Sequence, residues 1–210
     1  MTEDQSTASV KSIHDARRDM YRHQIASAAE IEFAKAGFDS TPMSAIAATA
    51  GLSLATVYKT FSGKAEIWDT LHAERMQALL AYVQAEPGPT ALDSLLNGVA
   101  RVALFLIENP SYLELNLRVG GGWTTSADEG HGLQRSVWSA GLGQIASGVE
   151  AAIAAGDLTG IRPAVAAGLV VSALQVWLSD WASSDRTGDR EALVADMIAR
   201  LRLALVGPTA

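Results

Sequence analysis

Apolar residues in this chain recur at steps of three and four, and no segment shows the sustained alternation of a strand. The pattern predicts an all-α protein. Ile25, Ala28, Ala29, Phe33 and Ala36 mark one face of a first helix, ended by Gly37-Phe38. Thr41 is placed to cap a second, short helix whose first position is Pro42, where a missing N–H costs nothing. Ile46, Ala47 and Ala50 face inward on it. Gly51 stops it, because glycine readily takes the left-handed backbone that ends a helix. Leu52 plugs the corner, and Ser53 caps a third helix with Val57 and Phe61 turned inward. Its outward face carries Leu54, Ala55, Thr56, Tyr58, Lys59 and Thr60. Ser62-Gly63-Lys64 then opens another helix, with Glu66 in its first turn.

Beyond Lys64 the pattern predicts helices over about 64–84, 90–108, 110–119, 132–155, 162–184 and 189–206. They are separated by Pro87-Gly88-Pro89, Asn109-Pro110, a glycine-rich stretch 120–132, residues 156–160 and residues 183–188. Such clusters of Gly, Pro and small polar residues break helices. Residues 163–179 hold no charge. That run is shorter than the roughly 20 residues a bilayer needs and includes Gly168, Ser172 and Gln175, so no membrane partner is expected. A helix apolar on most sides is explained by burial in its own domain and against another subunit. Ala167, Val170, Val171, Leu174, Leu178 and Trp181 form its main stripe, widened by Leu169, Ala173, Val176 and Trp177. The last helix repeats the spacing with Val194, Met197, Ile198, Leu201 and Leu205.

Two short helices around a tight glycine turn form the unit that sets a recognition helix into the DNA major groove. With the helix before it and the helix start after it, the stretch from Gln24 to Leu71 resembles the DNA-binding domain of the tetracycline-repressor (TetR) family of bacterial regulators. The matching residues are Ile25, Ala28-Ala29, Phe33, Gly37-Phe38, Thr41, Ile46-Ala47, Ala50-Gly51-Leu52-Ser53, Thr56-Val57-Tyr58, Phe61 and Lys64. The resemblance implies an all-α, two-domain protein: a basic N-terminal arm or helix extension over 1–23, a helix-turn-helix domain over 24–70, and a helical ligand-binding and dimerisation domain over 71–210. It implies phosphate contacts from Thr41, Thr56, Tyr58, Thr60 and Lys64. Leu54, Ala55 and Lys59, outward on the third helix, are the candidates for base edges: lysine can bond guanine, while Leu and Ala can only touch thymine methyls or read shape. In that family the last two long helices pair across a dimer, which implies a homodimer through 162–184 and 189–206. Three positions depart from the family's pattern: Glu32 replaces a large apolar residue, Pro42 a hydroxyl residue, and Thr60 an aromatic or histidine.

The charge distribution changes how the chain's acidity is read. Its 210 residues carry a net −7, unpromising for a nucleic-acid partner as a whole. Residues 1–64 hold seven basic and seven acidic side chains, so the excess lies in 65–210, with nine basic and sixteen acidic. An acidic body repels phosphate everywhere except through the head, which orients the approach. Lys11, Arg17, Arg18 and Arg22 against Asp15 and Asp19 make the N-terminal segment a candidate backbone contact, or simply a solvated helix start. Cysteine is absent and no secretory leader pattern opens the chain. Both fit a cytoplasmic protein.

Candidate ligand contacts are polar or aromatic residues in apolar surroundings. Asn97, Arg101, Asn116 and Gln175 interrupt oily helices, where a buried polar group needs a partner, either a ligand or a neighbouring helix. Trp123, in the glycine-rich 120–132 stretch, and Trp138 are candidate walls; Trp68, Trp177 and Trp181 fit core or interface equally. The glycine-rich stretch is either a ligand gate or a plain surface loop. The four histidines match no metal spacing, and no cofactor is expected. Gly141-Leu142-Gly143-Gln144-Ile145-Ala146 fits a relaxed dinucleotide fingerprint but follows a helical segment rather than a strand. With no catalytic constellation, the chain is expected not to be an enzyme. The expected function is a homodimeric repressor released from a palindromic operator in double-stranded DNA by a small apolar or aromatic effector. An activator, a co-repressor-dependent regulator, or a helical small-molecule-binding protein without DNA regulation are the alternatives.

Overall fold

The described residues fold as helices throughout: α1 (Glu3–Ala36), α2 (Met43–Thr49), α3 (Leu54–Thr60), α4 (Lys64–Tyr82), α5 (Ala91–Glu108), α6 (Pro110–Arg118), α7 (Leu133–Ala154), α8 (Pro163–Ser183) and α9 (Arg190–Val206). The computed structural model describes residues 3–83, 87–118, 133–184 and 186–206, with side chains over 15–83, 87–118, 140–184 and 186–206. From Lys64 on, each helix end falls within two residues of the position the apolar pattern predicts. The chain divides into two compact units, Met1–His72 and Ala73–Ala210.

In the N-terminal unit, Ile25, Ala29 and Phe33 of α1, Ile46 of α2, Val57 of α3, Phe61, and Ile67 and Leu71 of α4 are buried together. Phe33, Phe38 and Trp68 meet ring to ring with centroids 5.0–5.5 Å apart, at tilted or edge-on angles. These are the arrangements aromatic quadrupoles favour. Trp68 is therefore core. Ala36, read as part of the inward face of α1, is exposed, and Ala34 is buried instead. The helix ends there, with Gly37 at φ 83° donating its N–H to Phe33 O.

The start of α2 also differs from the sequence reading. Pro42 is the cap and Met43 the first helical residue; the Ala45 and Ile46 N–H groups both reach Pro42 O. Thr41 does not cap α2 because its hydroxyl turns back to α1, donating to Gly37 O at 2.7 Å and Glu32 O at 3.2 Å. At the other end of α2, Gly51 at φ 65° donates to Ala48 O and Leu52 N–H to Ala47 O. This paired closure satisfies carbonyls that the helix end leaves without intrahelical donors. Gln24 satisfies another, its amide donating to Ala50 O at 2.6 Å.

In the second unit α5 is central, packing against α6, α7, α8 and α9. Leu92, Leu96, Val99, Ala103 and Leu106 form its buried face. Thr90 caps it and the Asp157 carboxylate accepts the Leu92 N–H. Arg202 of α9 pairs with Asp93, and Arg190 with Glu108 at 3.1 Å, so ion pairs join α9 to both ends of α5. A Cβ at Gly148 of α7 would stand 2.8 Å from Leu95 Cδ1, so the missing side chain lets α7 approach α5 closely. The dinucleotide-like residues 141–146 lie inside α7, with helix directly before them. Among the described residues α8 is the one helix long and apolar enough to cross a membrane. Its Ala166, Val170, Val171, Leu174, Leu178 and Trp181 are buried against its neighbours α5, α6, α7 and α9.

Candidate nucleic-acid interface

The helix-turn-helix is built from contacts that leave one side of α3 to solvent. Ser53 caps α3 through its hydroxyl, which accepts the Thr56 N–H at 3.1 Å. Inward, Val57 is fully buried. Outward, Leu54 is 42% and Tyr58 54% exposed, with Ala55 and Lys59 exposed beside them. Positions four apart on a helix share a face, so Leu54–Tyr58 and Ala55–Lys59 form two adjacent rows.

The α3 exit is held from α1. Arg22 donates to Thr60 O at 3.3 Å, to Glu66 Oε1 at 2.9 Å and to Thr70 Oγ1 at 3.0 Å, with its guanidinium 4.4 Å from the Phe61 ring centroid. Glu66 accepts the Ser62 N–H at 2.8 Å and the Ser62 hydroxyl at 3.0 Å, closing the turn into α4. The Ser62 N–H, then Arg22, hold the Glu66 carboxyl below its usual pKa. On the other flank Glu32 accepts from Lys35 and from Thr49 Oγ1, both at 2.8 Å, and these two bonds lower its pKa in that order. The residue that departs from the family's apolar position thus ties α1 to the end of α2. In the sequence Arg22 stands out only as a charge and Glu32 only as a departure from an apolar position. The signal for both lay in partners distant in sequence, Glu66 and Thr49.

The hydroxyl and ammonium groups expected at phosphate are placed unequally. Thr41 is 2% exposed, its hydroxyl proton shared between Gly37 O and Glu32 O. Thr60 donates its hydroxyl to Thr56 O at 2.9 Å. The Ser53 and Thr56 hydroxyls pair at 2.8 Å, which leaves one hydroxyl proton between them for an outside acceptor. Lys64 directs its ammonium at Phe38 O, 2.7 Å away, and Asp39 O, 2.9 Å away, leaving one N–H of three. Tyr58 and Lys59 extend into solvent.

The described ligand candidates differ in exposure and in partners. Asn97 is exposed, contrary to its reading as a polar group inside an oily helix: it falls between the buried Leu96 and Val99, on the outer side of α5. Arg101 closes the end of α4, donating from Nε and Nη2 to Tyr82 O at 3.1 and 2.7 Å with the guanidinium 4.5 Å from the Tyr82 ring centroid. Asn116 bonds one turn back, to Tyr112 O at 2.7 Å. Both therefore have structural partners. Gln175 is half-buried. Trp123, the 120–132 stretch and the Trp138 side chain lie outside the described residues. A groove of about 700 Å³ runs between α5 and α9, lined chiefly by Ala100, Leu104, Val194, Ile198, Ala199 and Leu203. Among the described ligand candidates, Asn97, Arg101, Asn116 and Gln175, none lines it. Among the described residues no three His, Asp or Glu side chains cluster as metal ligands.

Residues 25–70 match the family model for bacterial regulatory proteins of the tetR family. No curated protein matches the chain by sequence. Solved structures match over nearly the full length. A bacterial regulatory protein of the tetR family from Rhodococcus RHA1 aligns with a TM-score of 0.69 at 23% identity, covering 90% of this chain and 98% of the other. The transcriptional regulator FadR from Bacillus subtilis, in complex with stearoyl-CoA, aligns with a TM-score of 0.67 at 19% identity over 89% and 99%. The fatty acid degradation regulator FadR from Bacillus halodurans aligns with 0.68 at 20% over 86% and 93%. At these identities the likeness is one of fold. The chain carries a tetR-family helix-turn-helix domain followed by a tetR-type helical domain.

Proposed function

We propose, from the tetR-family domain over residues 25–70 and the fold shared with tetR-family regulators, that this chain is a homodimeric transcriptional repressor of the cytoplasm. The observation that carries the DNA-binding part is the exposed face of α3, where Leu54, Ala55, Tyr58 and Lys59 project beyond a helix fixed at its cap and at its exit. A recognition helix must be both rigid and bare to enter the major groove. Tyr58, Lys59 and the Ser53–Thr56 hydroxyl pair are the phosphate and base contacts; the third N–H of Lys64 adds one more. Two such heads about one helical turn apart read a palindrome.

Dimerisation falls to α8 and α9. Val176 is 59% and Leu203 66% exposed, with Val165 and Val206 also bare. A row of exposed apolar side chains on two adjacent helices is covered economically by the same row of a second copy. The effector is a small apolar compound. Two structural relatives are fatty-acid regulators, one of them in complex with stearoyl-CoA, so fatty acyl compounds are the first class to test. Gln175 is the polar residue that remains as a candidate for selecting among them. An effector shifts the protein off DNA only by its difference in affinity between the two states.

Fluorescence anisotropy with duplexes from the protein's own promoter region tests the reading. Binding should weaken steeply with salt, as expected where cations displace counterions from phosphate, and acyl compounds should reverse it. No binding at micromolar protein in low salt would overturn it.

A further inference from the structure

The polar inventory of the α3 face is small, and it constrains what that face can read. Thr60 spends its hydroxyl proton on Thr56 O, and Thr56 pairs with Ser53. Val57 is buried. Among the described residues, the side-chain polar groups of α3 with no bond inside the protein are the Tyr58 hydroxyl and the Lys59 ammonium. Beside these and the one hydroxyl proton that the Ser53–Thr56 pair leaves, the outward surface is hydrocarbon: the Leu54 side chain, the Ala55 methyl and the Tyr58 ring. Leu54 lies in the first turn, next to the Ser53 cap, and a helix in the major groove contacts base edges with its first residues. In that groove the apolar feature that distinguishes one base pair from another is the thymine 5-methyl group.

We propose that Leu54 is a specificity-determining residue that selects a thymine in each operator half-site by packing on its 5-methyl group. The inference rests on the DNA-binding reading above. It assigns sequence discrimination at that position to hydrophobic contact rather than to a hydrogen bond, since Leu54 has no donor to offer. Burying one methyl group gives an expected loss of about fourfold in affinity when that methyl is removed.

The test uses the full-length protein and duplexes selected by it from a random-sequence pool. Each thymine of the selected half-site is replaced in turn by deoxyuridine, which removes the methyl and keeps every hydrogen-bonding group. One replacement should weaken wild-type binding about fourfold and leave Leu54→Ala unaffected, while Leu54→Met, which keeps an apolar side chain of similar reach, retains the sensitivity. Because Leu54 is exposed, these variants should keep the wild-type melting temperature, checked in parallel. Three results overturn the inference while leaving the regulator reading intact: a half-site without thymine, wild-type affinity unchanged by uracil at every position, or an equal uracil effect in Leu54→Ala, which would mark a DNA-shape effect. Failure to enrich or bind any duplex overturns both readings.

Discussion

Arg22 Nη1 stands 2.9 Å from Glu66 Oε1, and the same guanidinium reaches the last carbonyl of α3 and covers the Phe61 ring. One side chain therefore fixes the end of the exposed helix against both α1 and α4. Arg22→Ala should destabilise the protein by about 1–2 kcal/mol, less than three fully buried charged bonds would give, because all three bonds are only partly buried. It should also weaken DNA binding similarly for all sequences, since α3 is displaced rather than stripped of contacts. Arg22→Lys should recover the ion pair but not the fork or the stacking. Urea melts and anisotropy on two unrelated duplexes check this; a change of preferred sequence would show that Arg22 reads bases.

Lys59 and Lys64 make an instructive pair. Lys64 is tied to Phe38 O and Asp39 O and lies 5.0 Å from the Phe38 ring centroid, whereas Lys59 is exposed. Lys64→Ala should therefore lower stability by roughly 1–2 kcal/mol, the loss of charged hydrogen bonds. Lys59→Ala should leave the melt unchanged and either reduce the salt slope by about 1, if it meets phosphate, or relax one base position, if it meets guanine. An unaltered melt for Lys64→Ala together with a reduced salt slope would place Lys64 chiefly at phosphate instead.

The helices and the turn were legible because their determinants are local: apolar spacing, the Ser53 cap and the φ > 0 demanded at Gly51. The exposed residues of α3 were legible for the same reason, being the complement of Val57 and Phe61. The hydroxyls were not. Nothing near Thr41 in sequence indicates that its proton goes to Glu32 O and Gly37 O, nor that Lys64 folds back on the α1–α2 connection. Arg101 and Asn116 were open in the same way, since a polar residue in an apolar helix looks alike whether its partner is a ligand or the carbonyl of Tyr82 or Tyr112. Periodicity reports which face is buried; it does not report which polar atom finds which.

His72 gives the stability a pH dependence with a defined sign. It is fully buried beside Trp68, their ring centroids 4.7 Å apart, and burial pushes its pKa down to about 3 from 6.5. Between those values the unfolded chain binds a proton that the folded chain refuses. Stability contributed by neutral His72 is therefore complete above about pH 6.5 and lost as pH falls, by up to about 1.4 kcal/mol per unit. Urea denaturation at pH 7 and pH 5 should show wild type losing more than His72→Gln over the same interval. Equal losses would mean that other groups carry the acid sensitivity.

The last helix, α9, offers two neighbouring leucines with opposite expected consequences. Leu201 is buried in its own unit, in line with Val194, Met197 and Leu205, while Leu203, two residues on, is 66% exposed and points away. Leu201→Glu should unfold the second unit, because it places a charge without a partner in an apolar core, at a cost of several kcal/mol. Leu203→Glu should leave the fold of a single chain untouched, with a circular dichroism spectrum like that of the wild type. If α9 pairs with a second copy through this face, the same substitution brings two carboxylates to or near the contact and removes apolar area from it, so light scattering should report monomers where the wild type gives dimers. Val176→Glu on α8 should act in the same direction, since Val176 is exposed and equally removed from the core. A Leu203→Glu, Val176→Glu double variant that remains dimeric at micromolar concentration would place the contact on another surface of the protein.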